Sequence, residues 1–245
     1  MESKKNKLPK ILVGAPTFEG KNYCFSDWIE NVKSFTYGNY DIFLADNSDT
    51  EENSKMYKSK YGIECEWITN EKNKNSLLQK IADGHNAVRE YALKNNYQFL
   101  LHLETDVFPP IDVINRLLAH NKQLVGGTYF LYNDDKRELM IRLLDVDYGK
   151  ESSMICGETA ELLVDGNLKS VWSVGLGCNL IHKSVLEKVK FTFAKQQKKV
   201  IFSDTTFSID TRKEAIAQYW DTSVICEHRN HDWSKYGNKF IEKLV

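Results

Sequence analysis

The chain has 245 residues, 42% of them hydrophobic, and sets 33 Lys and Arg against 34 Asp and Glu. That length buries a sizeable core and suits one α/β domain, read here as residues 1–245. The balanced charge gives no excess to draw the protein onto nucleic acid or an anionic membrane.

The basic segment 1–10 leads into an apolar run that stops at Pro16, too short for a signal segment or a membrane span. The five cysteines, Cys24, Cys65, Cys156, Cys178 and Cys226, are scattered and form no C-x-x-C pair, against a disulfide framework or a zinc knuckle. A soluble, cytoplasmic protein is expected.

Short β-branched or aromatic runs then alternate with amphipathic stretches, the pattern of βαβ units over a mostly parallel sheet. Strands are predicted at "ILVGAP" from Ile11, "YDIFLAD" from Tyr40, "GIECEWI" from Gly62 and "YQFLLHL" from Tyr97. Between the last two, Leu77, Leu78, Ile81, Ala82, Val88, Ala92 and Leu93 recur at helical spacing and give one buried stripe. Beyond Pro109 and Pro110 a helix is predicted over Ile111 to His120, then a strand through "LVGGTYF". From Lys136 to Val174 short strands and loops are broken at Gly149, Gly157 and Gly166. A helix from about Thr206 to Ala217 and a strand through "TSVICEH" precede a polar, aromatic tail.

The chemistry concentrates in "LLHLETDVFPP". Ligands of open α/β sheets sit beyond the carboxyl ends of strands, where Glu104 and Asp106 fall. In an extended segment both carboxylates would point one way, with Thr105 turned away, and would suit Mg²⁺ or Mn²⁺ completed by phosphate oxygens. The alternative is a solvated acidic strand exit. Two other exits carry groups for the same ligand: Pro16, Thr17 and Glu19 in "GAPTFEG", and Asp46 in "LADNSDTEEN", whose carboxylate can accept from a base edge. Asx-rich loops also follow strands for turn chemistry alone.

Taken in order, "PTFEG", "ADNSDT", "ETD" followed by "VFPP", "LVGGTYF" and "GLGCNLIHKSVLEKV" resemble the motifs of a GT-A fold glycosyltransferase of the family 2 type. The resemblance covers nearly the whole chain. It implies a Rossmann-like nucleotide-binding half over about 8–130, fused to a smaller acceptor-side mixed sheet over about 131–245. It implies transfer of a sugar from a UDP- or GDP-sugar to a glycan, lipid-linked or protein acceptor, with Mn²⁺ or Mg²⁺ as cofactor. Glu104 replaces the usual first Asp of the acid motif, so Asp106 is the preferred metal ligand, and His85-Asn86 stands where the family often has Arg-Asn, placing Asn86 among the donor contacts.

The family's catalytic acid segment is matched by "SDTTF", making Asp204 the candidate base of an inverting transfer; Asp204 is also a good helix N-cap, and Asp210 is the reserve. "WDTSVICEH" resembles the segment that would give His228 to the metal, an imidazole that favours Mn²⁺. His231 and Trp233 in the tail are then acceptor or lid contacts, as is Gly177, whose other role is a bend before a strand. Two alternatives remain: a non-catalytic nucleotide-sugar or glycan binding module on the same fold, and a sugar-phosphate nucleotidyltransferase, for which the first loop lacks arginine.

Overall fold

A computed structural model describes residues 8–68, 77–133, 136–143, 155–196 and 199–230. An eight-stranded sheet is built from β1 (Ile11–Thr17), β2 (Tyr40–Asp46), β3 (Glu64–Trp67), β4 (Phe99–Leu103), β5 (Leu124–Thr128), β6 (Leu168–Val171), β7 (Cys178–His182) and β8 (Gln218–Ile225). Across the sheet the order is β6-β8-β5-β7-β4-β1-β2-β3. β3, β2, β1, β4, β5 and β8 share one direction, and β7 and β6 oppose them. The sheet is thus mostly parallel, as predicted.

Among the described residues, the helices that cover it include α1 (Phe25–Lys33), α2 (Leu77–Lys94), α3 (Val113–Ala119), α4 (Lys183–Lys188) and α5 (Ser203–Lys213). The strands read as unbroken apolar runs because both faces are covered. Val13, Leu44 and Leu101 pack with Trp28, Val32 and Leu117 of α1 and α3. Their neighbours Leu12, Phe43 and Leu100 turn the other way, onto Val88 of α2, Leu186 of α4 and Phe207 of α5. Gly84 lets α2 settle onto the β1 and β2 exits, for a Cβ there would lie 2.5 Å from Asn47 Nδ2 and 2.9 Å from the Pro16 side chain. That closeness offsets the roughly 1 kcal/mol a mid-helix glycine costs.

Several boundaries differ from the sequence reading. Gly62, at φ 67°, ends the helical stretch before β3 in the left-handed conformation, so the strand begins at Glu64. The helix α5 starts at Ser203, not Thr206, and closes at Ala215 (φ 56°), which releases the chain into β8 at Gln218 rather than Thr222. In the second half Phe130–Asn133 pairs with Lys136–Leu139, and Ile141–Arg142 with Ser173–Val174, over a small core containing Phe130, Leu139 and Trp220. Among the described residues, no helix is long and apolar enough to cross a membrane.

Candidate active site

The carboxyl ends of β1, β2, β4, β5 and β8 open on one edge of the sheet, and the segments leaving them meet. Glu104, Thr105 and Asp106 leave β4 as a turn and not as an extended strand, for the Val107 N–H donates to the Glu104 carbonyl at 3.0 Å. Thr105 is buried, its hydroxyl 3.1 Å from that of Thr17. The turn, rather than strand pleat, brings the two carboxylates together.

His228 reaches them through a two-residue ladder. Glu227–His228 pairs antiparallel with Val107–Phe108, His228 opposite Val107, and the Arg229 N–H donates to the Asp106 carbonyl at 2.8 Å. Side-chain ligand atoms of Glu104, Asp106 and His228 all lie within 4.8 Å of one another. His228 Nδ1 is 2.7 Å from the Phe130 carbonyl. A carbonyl only accepts, so Nδ1 carries a proton and Nε2 faces Asp106 Oδ2 at 3.5 Å.

Lys21, from the short 3₁₀ turn Glu19–Lys21, sets its ammonium against Asp106 Oδ2. The sequence reading missed it; the available signal was a cation two residues past Glu19 on the first strand exit. Burial would raise the Asp106 carboxyl, but the hydrogen bond and charge of His228 and the charge of Lys21 hold it below the usual carboxylate range. Burial, then the Asp106 charge, pushes Glu104 up. Burial would lower His228, yet its bond to Asp106 and both acidic charges raise it. Asp106 Oδ1 remains buried with no hydrogen-bond partner among the described residues. An orphaned carboxylate oxygen of this kind costs at least about 1–3 kcal/mol, and a cation would relieve it. Two carboxylates and one imidazole are a fitting ligand set for a divalent ion such as Mn²⁺.

Two cavities adjoin the cluster. The larger, about 520 Å³, is lined by Pro16, Thr17, Glu19, Lys21, Asn47 and Asp106 among others. The smaller, about 220 Å³, is lined by Tyr129, Leu131, Leu176, Asp204 and His228 among others. Ile81, His85 and Glu104 line both.

Asp204 lines the smaller cavity and not the larger. It sits inside the first turn of α5, with Phe202 in the N-cap position, and its Oδ1 accepts the Thr205 N–H at 2.6 Å. Asp210 instead pairs with Lys213 at 2.6 Å.

Asp46 does not line the larger cavity. It is fully buried, and its Oδ1 accepts from the Ser48 N–H and hydroxyl and from Asn53 Nδ2, so it shapes the loop whose Asn47 and Asp49 reach the cavity. Asn86 is also turned away, its amide paired in both directions with the Phe191 backbone at 2.7 and 3.0 Å. Gly177 makes room for a ring: a Cβ would lie 2.5–2.9 Å from three Tyr129 carbons. Its N–H donates to the Tyr129 hydroxyl at 2.9 Å, and the ring stands edge-on to His228. His231 and Trp233 lie outside the described residues.

No family model and no curated protein matches the chain. Among solved structures it is similar to A197 from STIV, at TM-score 0.44 and 16% identity over 90% of this chain and 86% of that one. It is similar to S. aureus TarS at TM-score 0.52 and 9% identity, and to TarS 1–349 in complex with UDP at 0.50 and 12%. These two matches cover 90% of this chain but 35% and 58% of the TarS chains. The sheet and the TarS likeness together define a GT-A-like α/β fold.

Proposed function

We propose that the chain is a metal-dependent glycosyltransferase that moves a sugar from a nucleotide-diphosphate sugar to an acceptor hydroxyl. The observation that carries this reading is the meeting of Glu104, Asp106 and His228 where two cavities join, with Asp204 on the second. The fold it shares with TarS, a GT-A-type glycosyltransferase solved with UDP, supports a nucleotide in the larger cavity.

In this reading the nucleotide lies along the β1 and β2 exits, and its diphosphate meets the acid cluster. Asp106 and His228, with Glu104 beside them, would hold Mn²⁺ or Mg²⁺, which when bound supplies Lewis-acid neutralisation of the leaving diphosphate. Lys21 adds a fixed positive charge on the same side. Asp204 takes the proton of the acceptor hydroxyl as that oxygen bonds to the anomeric carbon. The bond from that carbon to the diphosphate oxygen breaks, and its electron pair leaves with the nucleotide. Attack from the cavity opposite the leaving group inverts the anomeric centre.

The test measures binding and cleavage across UDP-, GDP-, dTDP- and CDP-sugars with and without Mn²⁺, for the native chain and Asp106→Ala. Metal-dependent cleavage of a donor by the native chain alone is expected. Metal-dependent binding with no transfer to any acceptor would favour the binding module, and no binding to any donor would overturn the reading.

A further inference from the structure

His85 and His102 form a pair that the acid motif does not use. His102 Nδ1 is 2.5 Å from the Leu176 carbonyl, and its Nε2 is 2.9 Å from His85 Nδ1. The carbonyl can only accept, so His102 carries its proton on Nδ1. Both rings are buried beside Phe191, and a charge so removed from water is disfavoured on either. Two neutral rings leave one arrangement: His102 Nε2 is bare and accepts, and His85 donates through Nδ1–H. His85 Nε2 is then a bare lone pair, with no hydrogen-bond partner among the described residues. Phe191 stacks on the His85 ring at 4.9 Å and itself stacks on Phe207, so the ring cannot turn freely.

The position of that lone pair is as telling as its polarity. His85, Ile81 and Glu104 line both cavities. If the diphosphate lies at Asp106 and the acceptor oxygen at Asp204, the transferred sugar occupies the junction, against these three residues. We propose that His85 Nε2 is a specificity-determining hydrogen-bond acceptor for a hydroxyl of the donor sugar, its polarity fixed through His102 by the Leu176 carbonyl. This rests on the glycosyltransferase reading. A bare imidazole nitrogen repels phosphate oxygens, which bring no proton, and rewards a hydroxyl, which does. The pair thus selects the sugar rather than the diphosphate.

Two measurements test this. Long-range ¹H–¹⁵N spectra of the histidines, which need no ligand, should show His102 and His85 both protonated at Nδ1 only. A protonated His85 Nε2 would overturn the proposal. Titrations with UDP, GDP, UDP-glucose, UDP-N-acetylglucosamine and GDP-mannose in Mn²⁺ then compare the native chain with His85→Phe and His85→Gln.

The Phe variant should lose about three- to tenfold in affinity for the preferred nucleotide-sugar. Its affinity for the matching free nucleotide should stay unchanged, and Gln, which restores an acceptor, should recover part of the loss. Equal losses for sugar and free nucleotide would make His85 a packing residue and overturn the proposal. If the native chain binds no nucleotide, the glycosyltransferase reading falls and takes this inference with it. If it binds nucleotide and sugar-nucleotide equally, only the inference falls.

Discussion

Gly177→Ala should loosen the wall behind the acid cluster. The new Cβ would lie 2.5, 2.7 and 2.9 Å from three carbons of the Tyr129 ring, against an optimum of about 3.5–4.0 Å, so the ring must retreat by roughly an ångström. Tyr129 is buried and held at both ends, its hydroxyl taking the Gly177 N–H and its edge meeting His228. Overpacking of a site that cannot yield costs about 1–3 kcal/mol, which for a chain of this size lowers Tm by about 2–12 °C. Because the ring backs His228, Mn²⁺ affinity should fall as well. Thermal unfolding and Mn²⁺ titration calorimetry read the two effects. Gly38→Ala is the control, since nothing lies within 4 Å of a Cβ there and its φ is not positive. A Gly177→Ala Tm equal to that of the control would refute the claim that glycine seats the ring. A lowered Tm with unaltered Mn²⁺ affinity would disconnect the ring from the metal site.

Asp106→Ala should abolish Mn²⁺-dependent donor binding in titration calorimetry, and unchanged metal and donor affinities would remove Asp106 from the site. Asp204→Asn should bind donor as the native chain does while turnover drops by about 10²–10⁴-fold; retained turnover in a steady-state assay would move the base role to another acid. Asp221 is buried, which would raise its pKa, but bonds from the Ser223 N–H and hydroxyl and from His120 hold it below the usual range. A depressed native value contributes stability that is full above the unfolded pKa of about 3.9 and lost as pH falls through the native value. Asp221→Asn should therefore be less stable to urea near neutrality and should converge on the native chain in acid. Curves displaced by the same amount at every pH would contradict that assignment.

The legible part of this molecule is what local pattern encodes. β1, β2, β4 and α2 follow from runs such as Ile11–Leu12–Val13 and from the apolar spacing of Ile81, Val88 and Ala92, because burial on a sheet of this kind leaves a local signature. The acid pair was visible for the same reason: it sits at the end of an apolar run. What sequence did not disclose is each polar group's partner. Asp46 and Asn86 are expected from sequence as ligand contacts, and pattern alone does not show that Asp46 Oδ1 also accepts from Ser48 and Asn53 or that the Asn86 amide pairs with the Phe191 backbone. Arg89 of α2 is buried, its Nε donating to the Leu186 and Val189 carbonyls, a partnership between residues about a hundred positions apart. Lys21 and the His85–His102 pair depend on contacts between residues 85 and 17 positions apart, which no periodicity carries.

The reversal of β7 explains why two acids stay together instead of splaying into solvent. β7 lies between β4 and β5 and opposes both, so its first residue, Cys178, stands beside the last of β4, Leu103. The approach to one strand thus abuts the exit of another, and the Glu104 N–H is tied to the Gly177 carbonyl at 3.0 Å. On the other side the Arg229 N–H ties down the Asp106 carbonyl at 2.8 Å. Each acid is pinned by a different distant segment, one entering β7 and one leaving β8. Burial, and after it repulsion from Asp106, raises Glu104, and that strain is borne by backbone hydrogen bonds and by the charges of Lys21 and His228. A flexible acidic loop would relieve the same repulsion by moving apart. Holding like charges at fixed separation is useful when a cation is to be bound between them, and the sheet topology supplies that restraint through the backbone.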